Sequence, residues 1–205
     1  MDDPSLAPDA LLAAYAEGAF PMDEAGARGA VGLYTCDPRG VMPIDGFRVP
    51  RSVARALRSR PYAIRVDAAF AEVATACAGP RLGGEWLTPR LVEAYVRLHR
   101  AGWAHSVEAW DGDGLAGGLF GVALGGLFTS ETMFHRAPDA GSAALVGAAR
   151  LLADAGFALW DIQMTSPHTR RFGAVAIPPE EYLRRLAAAL AVRPRPLAGP
   201  GPTAG

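Results

Sequence analysis

The order of helical and strand-like patterns along the chain predicts an α+β fold, with a mixed, largely antiparallel sheet flanked by helices. Helical periodicity dominates the first half, and three alternating segments joined by glycine turns follow, which is typical of an antiparallel meander. The chain has no βαβ repeat and no GxGxxG fingerprint, so a dinucleotide-binding fold is not expected. Its 205 residues are 50% hydrophobic, enough for one large domain, with or without a small accessory one.

The N-terminal part predicts one helix followed by loops and turns. Apolar residues between 11 and 16 fall at helical spacing, with Asp9 as the expected N-cap and Gly18 as the stop. Residues 23–34 are rich in glycine and alanine and predict a loop with one short strand. Residues 36–40 predict a turn, because they combine an Asp-Pro pair with a glycine.

The middle of the chain predicts helices first and then the meander. An Asp-Gly pair at 111–112 is expected to form a hairpin turn, because it tolerates the positive φ angles of a two-residue loop. Between residues 50 and 142 the predicted elements are helix 50–60, strand 62–66, helix 70–77 with Asp67 as its cap, a helix that begins at Thr88 and Pro89, strands 105–110, 115–124 and 127–129, and a loop at 136–142.

The C-terminal part predicts a helix, a strand, a last helix and a tail. Residues 143–155 form a strongly helical run that ends at the C-cap residue Gly156, and a buried strand follows around Trp160. Two prolines at 178–179 begin a helix that continues over 180–191. The expected division is a small N-terminal domain at 1–61 with a basic helix, a main domain at 62–192, and a disordered Pro- and Gly-rich tail at 193–205.

Asp161 and Gln163 place two polar side chains in the buried strand around Trp160. Strand side chains alternate, so both are expected on the same face. A carboxylate and an amide on an apolar strand cost free energy unless partners satisfy them, and together they can accept a proton and orient an amine. The alternative is a strand end at which Asp161 caps a turn, and this segment alone does not decide between the two.

One helix carries a concentrated positive charge. The net charge of −1 gives no global attraction to nucleic acid, but eight arginines face two aspartates between residues 28 and 65, a local net charge of +6. Arg51, Arg55 and Arg58 are spaced i, i+4 and i+7, so they form one stripe on the helix at 50–60. A solvated charged face is the alternative, but no carboxylate accompanies the stripe, which favours a site for phosphates.

Composition excludes several classes of site. All 20 basic residues are arginine, which excludes a catalytic lysine, a Schiff base and a Walker-type phosphate loop. There is no GxSxG motif, and the four histidines lack zinc-ligand spacing, so neither a serine hydrolase nor a metal site is expected.

Compartment and size are also predicted from composition. Cys36 and Cys77 form no CxxC pair, which is typical of a reducing cytosol. The N-terminus lacks a signal pattern, and no apolar run reaches the ~20 residues of a membrane span, so we expect a soluble cytoplasmic monomer with no membrane contact.

Short motifs from residue 11 to about 190 carry a family resemblance. In order they are Leu12-Ala-Ala-Tyr15-Ala-Glu-Gly18-Ala-Phe20-Pro21-Met22, Asp37-Pro38-Arg39, Trp86-Leu-Thr88, Ala94-Tyr95 with Leu98-His99, Gly102, Ala104-His105-Ser106-Val107-Glu108, Leu115-Ala-Gly117-Gly118-Leu-Phe-Gly121, Phe128 with Glu131-Thr132-Met133-Phe134, and Asp161 with Gln163, His168 and Gly173-Ala174. Each motif alone is weak. Their number, order and spacing resemble the leucyl/phenylalanyl-tRNA–protein transferases, aminoacyltransferases of enzyme class 2.3.2.

The resemblance implies a fold and a reaction. The main domain would be similar to N-acyltransferases of the GNAT type. Leu or Phe, with Met as a further candidate donor, would pass from the 3′-terminal adenosine of aminoacyl-tRNA to the α-amine of an N-terminal Arg or Lys of an acceptor protein, marking it for degradation. No ATP, metal, coenzyme A or other cofactor would take part. Ester aminolysis is downhill, so such an enzyme positions two substrates and manages one proton.

The resemblance also implies roles for named residues. Asp161 and Gln163 would orient and deprotonate the attacking amine, with Asp161 polarising Gln163. Glu131 would hold the ammonium group of the aminoacyl moiety through a charge-assisted hydrogen bond. The donor's side chain would be bound by Phe128, Met133, Leu145 and Trp160, its adenine would stack on Tyr34 and Trp86, and its acceptor stem would contact Arg51, Arg55 and Arg58. For Trp86, a role as an ordinary core aromatic residue is the alternative.

The chain departs from the family pattern at several positions. A Trp-Trp-Ser-Pro segment is replaced here by Leu33-Tyr34-Thr35-Cys36, and Asn-Ala-Ser-Lys is replaced by the segment 139–142, which loses a cation. Thr169 and the pair Arg171-Phe172 stand where the family has Leu and Ser-Leu. Trp160 is larger than the usual aliphatic residue, and Ala148 is smaller than the usual aromatic one.

These departures keep other functions open. A diverged aminoacyl-tRNA-dependent transferase could act on a small-molecule amine. A non-enzymatic RNA-binding module would account for the arginine stripe and Trp86, but not for Glu131 and the pair Asp161 and Gln163. An acyl-CoA acetyltransferase is not expected, because residues 136–139 lack the glycines that bind a pyrophosphate.

Overall fold

The computed structural model describes residues 3–23, 31–78 and 86–197. In chain order the elements are a 3-10 turn (Pro4–Leu6), α1 (Pro8–Ala16), β1 (Phe20–Met22), β2 (Gly32–Tyr34), β3 (Arg39–Met42), α2 (Arg51–Ser59), β4 (Ala63–Val66), α3 (Phe70–Cys77), α4 (Pro89–Arg100), β5 (Ala104–Asp111), β6 (Gly114–Leu124), β7 (Leu127–Thr129), β8 (Thr132–His135), α5 (Ala140–Ala155), β9 (Leu159–Gln163), α6 (Pro167–Arg170), β10 (Val175–Ile177) and α7 (Pro179–Leu190). The predicted α+β class is confirmed. Within these ranges no helix is long and apolar enough to span a bilayer.

One large sheet organises the fold. Its strands lie in the order β10-β3-β9-β7-β6-β5-β4, and β8 pairs with β6 beside this path. Neighbouring strands run antiparallel, except that β7 and β9 are parallel. The predicted largely antiparallel sheet is therefore confirmed, and β1 and β2 form a separate two-stranded sheet.

The large sheet opens along one edge of β6. The first half of β6 pairs with β8 through residues 117–120, and its end pairs with β7 through residues 123–124. Gly121 lies between them, where a Cβ would collide with the Thr129 carbonyl. The amide of Val122 donates to the Thr129 hydroxyl at 3.0 Å instead of to a backbone carbonyl. Residues 130–131 connect β7 to β8 at this opening.

Helices cover both faces of the sheet. On one face α1, α3 and α4 pack on β6 around Tyr15, Tyr95 and Phe120. On the other face α5 contributes Leu145 to a second cluster, which includes Phe128. Twelve of the 16 residues of α5 are buried, as expected for a helix without a polar side.

Short elements account for most of the differences from the predicted structure. Strands β1, β3, β8 and β10 and helix α6 were not predicted, because segments of three or four residues show at most a weak periodic pattern. The loop predicted at 136–142 is shorter, since α5 begins at Ala140. Two predicted caps were wrong: Ala7, not Asp9, is the N-cap of α1, and Asp67 does not cap α3 but accepts a hydrogen bond from the Ser106 amide at 2.8 Å.

The expected domain boundary at residue 61 stays a prediction. Strand β3 lies between β9 and β10, so residues from both sides of that boundary share one sheet. Of the predicted tail, the Arg195 amide donates to the Ala155 carbonyl at 2.8 Å, and Leu197 packs against the cluster around Leu145. Residues 198–205 and Arg28 lie outside the described residues.

Candidate functional site

The candidate site lies at the opening between β7 and β8, where Ser130 and Glu131 connect the two strands. The Ser130 amide donates to the Asp161 carbonyl of β9 at 2.8 Å, and the Glu131 amide donates to the Phe120 carbonyl of β6 at 3.0 Å. The Ser130 hydroxyl accepts a hydrogen bond from the Trp160 indole at 2.8 Å. Because β6 and β9 hold the connection from two sides, the backbone that carries Glu131 has a defined position.

Three hydroxyl groups surround the Glu131 carboxyl. Oε2 accepts a hydrogen bond from the Tyr95 hydroxyl at 3.0 Å, and Oε1 accepts one from the Thr129 hydroxyl. The Tyr15 hydroxyl lies 2.8 Å from that of Tyr95. Burial and the nearby charge of Glu131 raise the pKa of both tyrosines well above the usual value, so they remain protonated donors.

Glu131 changes its charge near neutral pH. Burial is the largest influence and raises the pKa of its carboxyl to about 7, and the negative charge of Asp161 acts in the same direction. Hydrogen bonds from Thr129, Tyr15 and Tyr95 lower this pKa but do not outweigh burial. A carboxyl group tuned in this way can bind an ammonium group or exchange a proton at physiological pH.

Asp161 forms a buried salt bridge with Arg39. The guanidinium donates to Oδ1 through Nε at 2.9 Å and to Oδ2 through Nη2 at 2.6 Å, and the side chains are 2% and 0% exposed. Oδ2 also accepts from the Tyr182 hydroxyl at 2.8 Å, and Oδ1 accepts from the backbone N–H of Gln163 at 2.8 Å. Four donors therefore satisfy this carboxylate, which leaves it no exposed oxygen for a substrate.

Arg39 is held as tightly as its partner. Nη1 donates to the Gly18 carbonyl at 2.8 Å, and the guanidinium lies 5.0 Å from the ring of Phe20 and 4.4 Å from the ring of Tyr182. Burial alone would lower the pKa of Arg39, but the hydrogen bonds and charge of Asp161 raise it above its usual range. Arg39 belongs to β3 and Asp161 to β9, so the salt bridge connects two strands that are paired in the sheet.

Gln163 leaves regular strand geometry. Its φ is +53°, a left-handed conformation uncommon for residues other than glycine, so the alternation expected from Asp161 does not extend to it. With its nitrogen facing Ser130, the side-chain amide donates at 3.1 Å to the carbonyls of Ser130 and Ile162. Gln163, Asp161 and Trp160 therefore all bond to Ser130, directly beside Glu131.

The four residues expected around the donor's side chain do come together. Phe128, Leu145 and Trp160 are buried members of one cluster, and Met133 packs against it while partly exposed. Trp160 is 0% exposed and stacks on Phe47, with ring centroids 5.9 Å apart. These side chains form an apolar layer beneath the opening that carries Glu131.

The two expected stacking residues border the other cluster. Tyr34 is 41% exposed and its ring centroid lies 6.5 Å from that of Phe20, while Trp86 is partly buried against the core around Tyr95. Phe20 belongs to that same core and contacts Arg39. Tyr34 therefore lies near the Arg39 salt bridge, through Phe20, and Trp86 borders the same core.

The predicted arginine stripe is present on α2. Arg51, Arg55 and Arg58 line one open groove together with Ser52. A second cavity, next to this groove, is lined by Ser142 and Arg171 among others. Ser142 stands where the family resemblance places a lysine. Arg171, at the C-terminal end of α6, contributes a cation to the same cavity.

Sequence reasoning did not single out several residues of this site. Arg39, Tyr15 and Tyr95 appear only within motifs of the resemblance, and Tyr182 and Ser130 appear in none. A fully buried arginine and a buried tyrosine hydroxyl leave no local pattern in a sequence. The clue that was available is that a buried Asp161 needs a cationic partner.

Comparisons with known proteins agree on one family. A profile described as leucyl/phenylalanyl-tRNA protein transferase matches residues 41–187. The leucyl/phenylalanyl-tRNA–protein transferase of Rubrobacter xylanophilus is 48% identical over 186 residues, which cover 90% of this chain and 95% of the relative. The protein of that name from Akkermansia muciniphila is 44% identical over 187 residues, covering 90% and 96%.

A solved structure supports the fold alone. The structure of L-PGS from Bacillus licheniformis is similar, with a TM-score of 0.50 and 10% sequence identity. The similarity covers 78% of this chain and 67% of the other.

Proposed function

This chain belongs to the leucyl/phenylalanyl-tRNA protein transferase family, and from that premise we propose that it transfers Leu or Phe, with Met as a further candidate donor, from aminoacyl-tRNA to an N-terminal Arg or Lys of an acceptor protein. The neutral α-amine attacks the ester carbonyl and an amide bond forms. The ester bond to the 3′ oxygen of the terminal adenosine breaks, and that oxygen takes a proton as free tRNA leaves. The enzyme is an aminoacyltransferase that acts by positioning its substrates and by handling one proton.

The surroundings of Glu131 carry this proposal. An aminoacyl ester presents an α-ammonium group close to the carbonyl that reacts. Glu131 is the group at the opening of the sheet that can be an anion near pH 7, and Tyr95 and Thr129 fix its two oxygens. A positioned anion binds an ammonium group through charge-assisted hydrogen bonds, which places the ester carbonyl beside Ser130 and Gln163.

We assign Asp161 to positioning and Gln163 to the acceptor amine. The four donors around Asp161 argue against a role as a free base, and its bonds instead fix the backbone N–H of Gln163 and the end of β9. The left-handed backbone at Gln163 turns its side chain toward the Ser130 carbonyl at the opening. Strained residues of this kind are common where a side chain must point at a substrate.

The fold supports the finer structural assignment as well. We propose that the sheet is of the GNAT type, because its strands part along β6 and the residues that we assign to the donor lie beside the parting. The donor's apolar side chain would contact Met133 above the layer formed by Phe128, Leu145 and Trp160, and its adenine would stack near Tyr34 and Trp86.

We propose that the protein works in the cytosol, where charged tRNA is made.

One assay tests the proposal directly. The protein would be incubated with Leu-, Phe- or Met-tRNA labelled in the amino acid, and with a peptide that begins with Arg or Lys. Label should enter the peptide, and a matched peptide with an acetylated N-terminus should receive none. Release of the amino acid without labelled peptide would reject a protein acceptor and leave a small-molecule amine as the substrate to search for.

Replacing Trp160 with Ile should change the choice of donor. Trp160 is completely buried in the layer beneath Glu131, so a smaller side chain leaves space there. We expect the ratio of kcat/KM for Phe-tRNA over Leu-tRNA to rise by about tenfold or more. Trp103, which is 39% exposed, provides the matched Trp→Ile control. An unchanged donor ratio would remove Trp160 from the donor pocket.

Removing the three charges of the arginine stripe should flatten the salt dependence of tRNA binding. If Arg51, Arg55 and Arg58 each contact a phosphate, replacing all three with Gln reduces the slope of log K against log salt by about 2 to 3. Binding would be measured with uncharged tRNA across a range of salt concentrations. Arg100→Gln, an exposed residue on α4, is the control. The same slope in the triple variant and the wild type would show that the stripe is only solvated.

A further inference from the structure

A cavity of about 550 Å³ lies beside the arginine stripe, between α2, β8, α6 and the start of α5. Its walls include Ser52 of α2, His135 of β8, Ser142 of α5 and, around α6, His168 and Arg171. Met133 also lines it and stands two residues from Glu131, so the cavity adjoins the proposed reaction site.

Arg171 gives this cavity a positive charge, and His168 adds a ring nitrogen to its lining. The Arg171 guanidinium donates to the Ser52 hydroxyl at 3.0 Å, which ties its charge to the wall formed by α2. His168 Nε2 is buried and has no hydrogen-bond partner among the described residues. Burial is the main reason that the pKa of His168 is lowered, and the positive charges of Arg171 and His135 add to it. An anion in the cavity could accept a hydrogen bond from this nitrogen, and its negative charge would favour the protonated imidazole.

The backbone adds to this potential. Asp139, the N-cap of α5, has a φ of +60° and makes no side-chain capping bond, and the partial positive charge at the start of this 16-residue helix lies at the wall lined by Gly141 and Ser142. Ser142 contributes a hydroxyl in the same turn. The exposed Asp139 carboxylate also lines the cavity and opposes an anion there.

The cavity continues the path of the arginine stripe. Ser52 lines both the stripe's groove and this cavity, so the two are neighbours on the surface of α2. A strand of RNA whose backbone follows Arg51, Arg55 and Arg58 can therefore place its next phosphates past Ser52. Met133 lines the cavity and is two residues from Glu131, so the proposed reaction site lies beyond this wall.

We infer that this cavity binds a phosphate group through Arg171, His168 and the start of α5, and that the phosphate is a phosphodiester in the single-stranded 3′ end of the donor tRNA. Phosphate binding itself follows from the geometry. Its source in tRNA rests on the proposed function. The contact would fix the distance between the acceptor stem on α2 and the ester at Glu131, without reading base sequence.

The test uses one substitution that removes a positive charge from the cavity, one that removes a negative charge, and one control. Arg171→Ser removes the cation, Asp139→Asn removes the opposing charge at a backbone conformation that Asn tolerates, and Arg170→Ser changes an exposed neighbour that does not line the cavity. Binding of a single-stranded oligonucleotide ending in CCA is measured against salt. Arg171→Ser should reduce the slope of log K by about 0.7, Asp139→Asn should tighten binding, and Arg170→Ser should match the wild type.

Transfer assays separate this role from an effect on the reacting groups. With charged tRNA, Arg171→Ser should lose about tenfold in kcat/KM. With aminoacyl-adenosine, which contains no phosphodiester, its loss should be clearly smaller. Equal losses on both donors, or slopes unchanged in both cavity variants, would overturn the inference.

Inorganic phosphate distinguishes the two sources of the ligand. If phosphate competes with the CCA oligonucleotide and its binding weakens in Arg171→Ser, both occupy this cavity. Phosphate binding that depends on Arg171 but does not displace the oligonucleotide would reject RNA as the ligand. Absence of transfer by the wild-type protein would reject the proposed function, while the binding experiments would still decide whether the cavity holds phosphate.

Discussion

Replacing Arg39 with Met should lower the free energy of unfolding by about 3–5 kcal/mol, because it leaves the Asp161 carboxylate buried without its cation. Both side chains are almost completely excluded from water, so the solvent cannot compensate for the lost partner. The Tyr182 hydroxyl and the backbone N–H of Gln163 would remain as donors, but neither carries a charge. Denaturant unfolding at neutral pH measures this effect, and transfer activity should fall with it as β3 and β9 lose their connection.

Arg60→Met is the matched control for this prediction. Arg60 and Asp111 form a pair with nearly the same N–O distance, 2.7 Å, but their side chains are 50% and 52% exposed. Solvent screens such a surface pair, so its loss should hardly change the unfolding midpoint. Similar costs for the two Met variants would show that burial of the Arg39 pair does not set its strength.

A double substitution separates the unpaired charge from lost packing. Arg39→Met with Asp161→Asn removes the cation and the buried anion together. If the cost of Arg39→Met comes mainly from the unpaired carboxylate, the double variant should regain part of the stability, and the coupling energy should reach ~1 kcal/mol or more. Purely additive effects would mean that the packing of the guanidinium against Phe20 and Tyr182 dominates.

Periodic patterns predicted most of the framework. The helix over residues 70–77 was predicted with its observed bounds, and the meander through Asp111 and Gly125 has the expected turns. These elements are long enough to show a period, or they are punctuated by glycines with positive φ. Strand β3 has four residues next to an Asp-Pro pair, so its sequence favoured a turn.

The site was predicted residue by residue but not as a set of contacts. Asp161 was recognised as polar in a buried strand, yet its partner Arg39 lies 122 positions away and looked like part of a turn. Tyr15 and Tyr95 fit the apolar faces of helices, and their hydroxyl groups gave no sign of a link to Glu131. Pairings over such separations depend on the order of strands in the sheet, which local patterns do not contain.

Replacing Glu131 with Gln should reduce kcat/KM by about tenfold to 150-fold at and above neutral pH, which corresponds to the ~1.5–3 kcal/mol of a charged hydrogen bond. Gln keeps the shape and its single carbonyl oxygen can accept from Tyr95 or from Thr129, but its NH2 group replaces the other acceptor and the side chain carries no charge to pair with an ammonium group. In the wild type, kcat/KM should rise with pH through about 7, as the carboxyl of the free enzyme ionises. The variant should lose the step at about 7 and keep only the rise that comes from deprotonation of the acceptor's α-amine, whose pKa is ordinarily ~8.

Stability should respond to pH in the opposite direction. The pKa of Glu131 is raised in the folded protein from its ordinary value of 4.5 to about 7, so folding favours the protonated form. The stabilisation is complete below about 4.5 and is lost as pH rises through about 7. The unfolding free energy of the wild type should therefore fall across this window relative to that of Glu131→Gln.

Glu108→Gln provides the comparison that isolates the site. Glu108 is fully buried and accepts hydrogen bonds from the Ala69 amide, the Ser106 hydroxyl and the Trp110 indole, away from the opening between β7 and β8. Its replacement can lower stability, but it should leave the rise of kcat/KM through about pH 7 in place. If that rise persists in Glu131→Gln as well, another group titrates during transfer. Glu131 would then contribute shape to the site, because its charge would have no part in holding the donor's ammonium group.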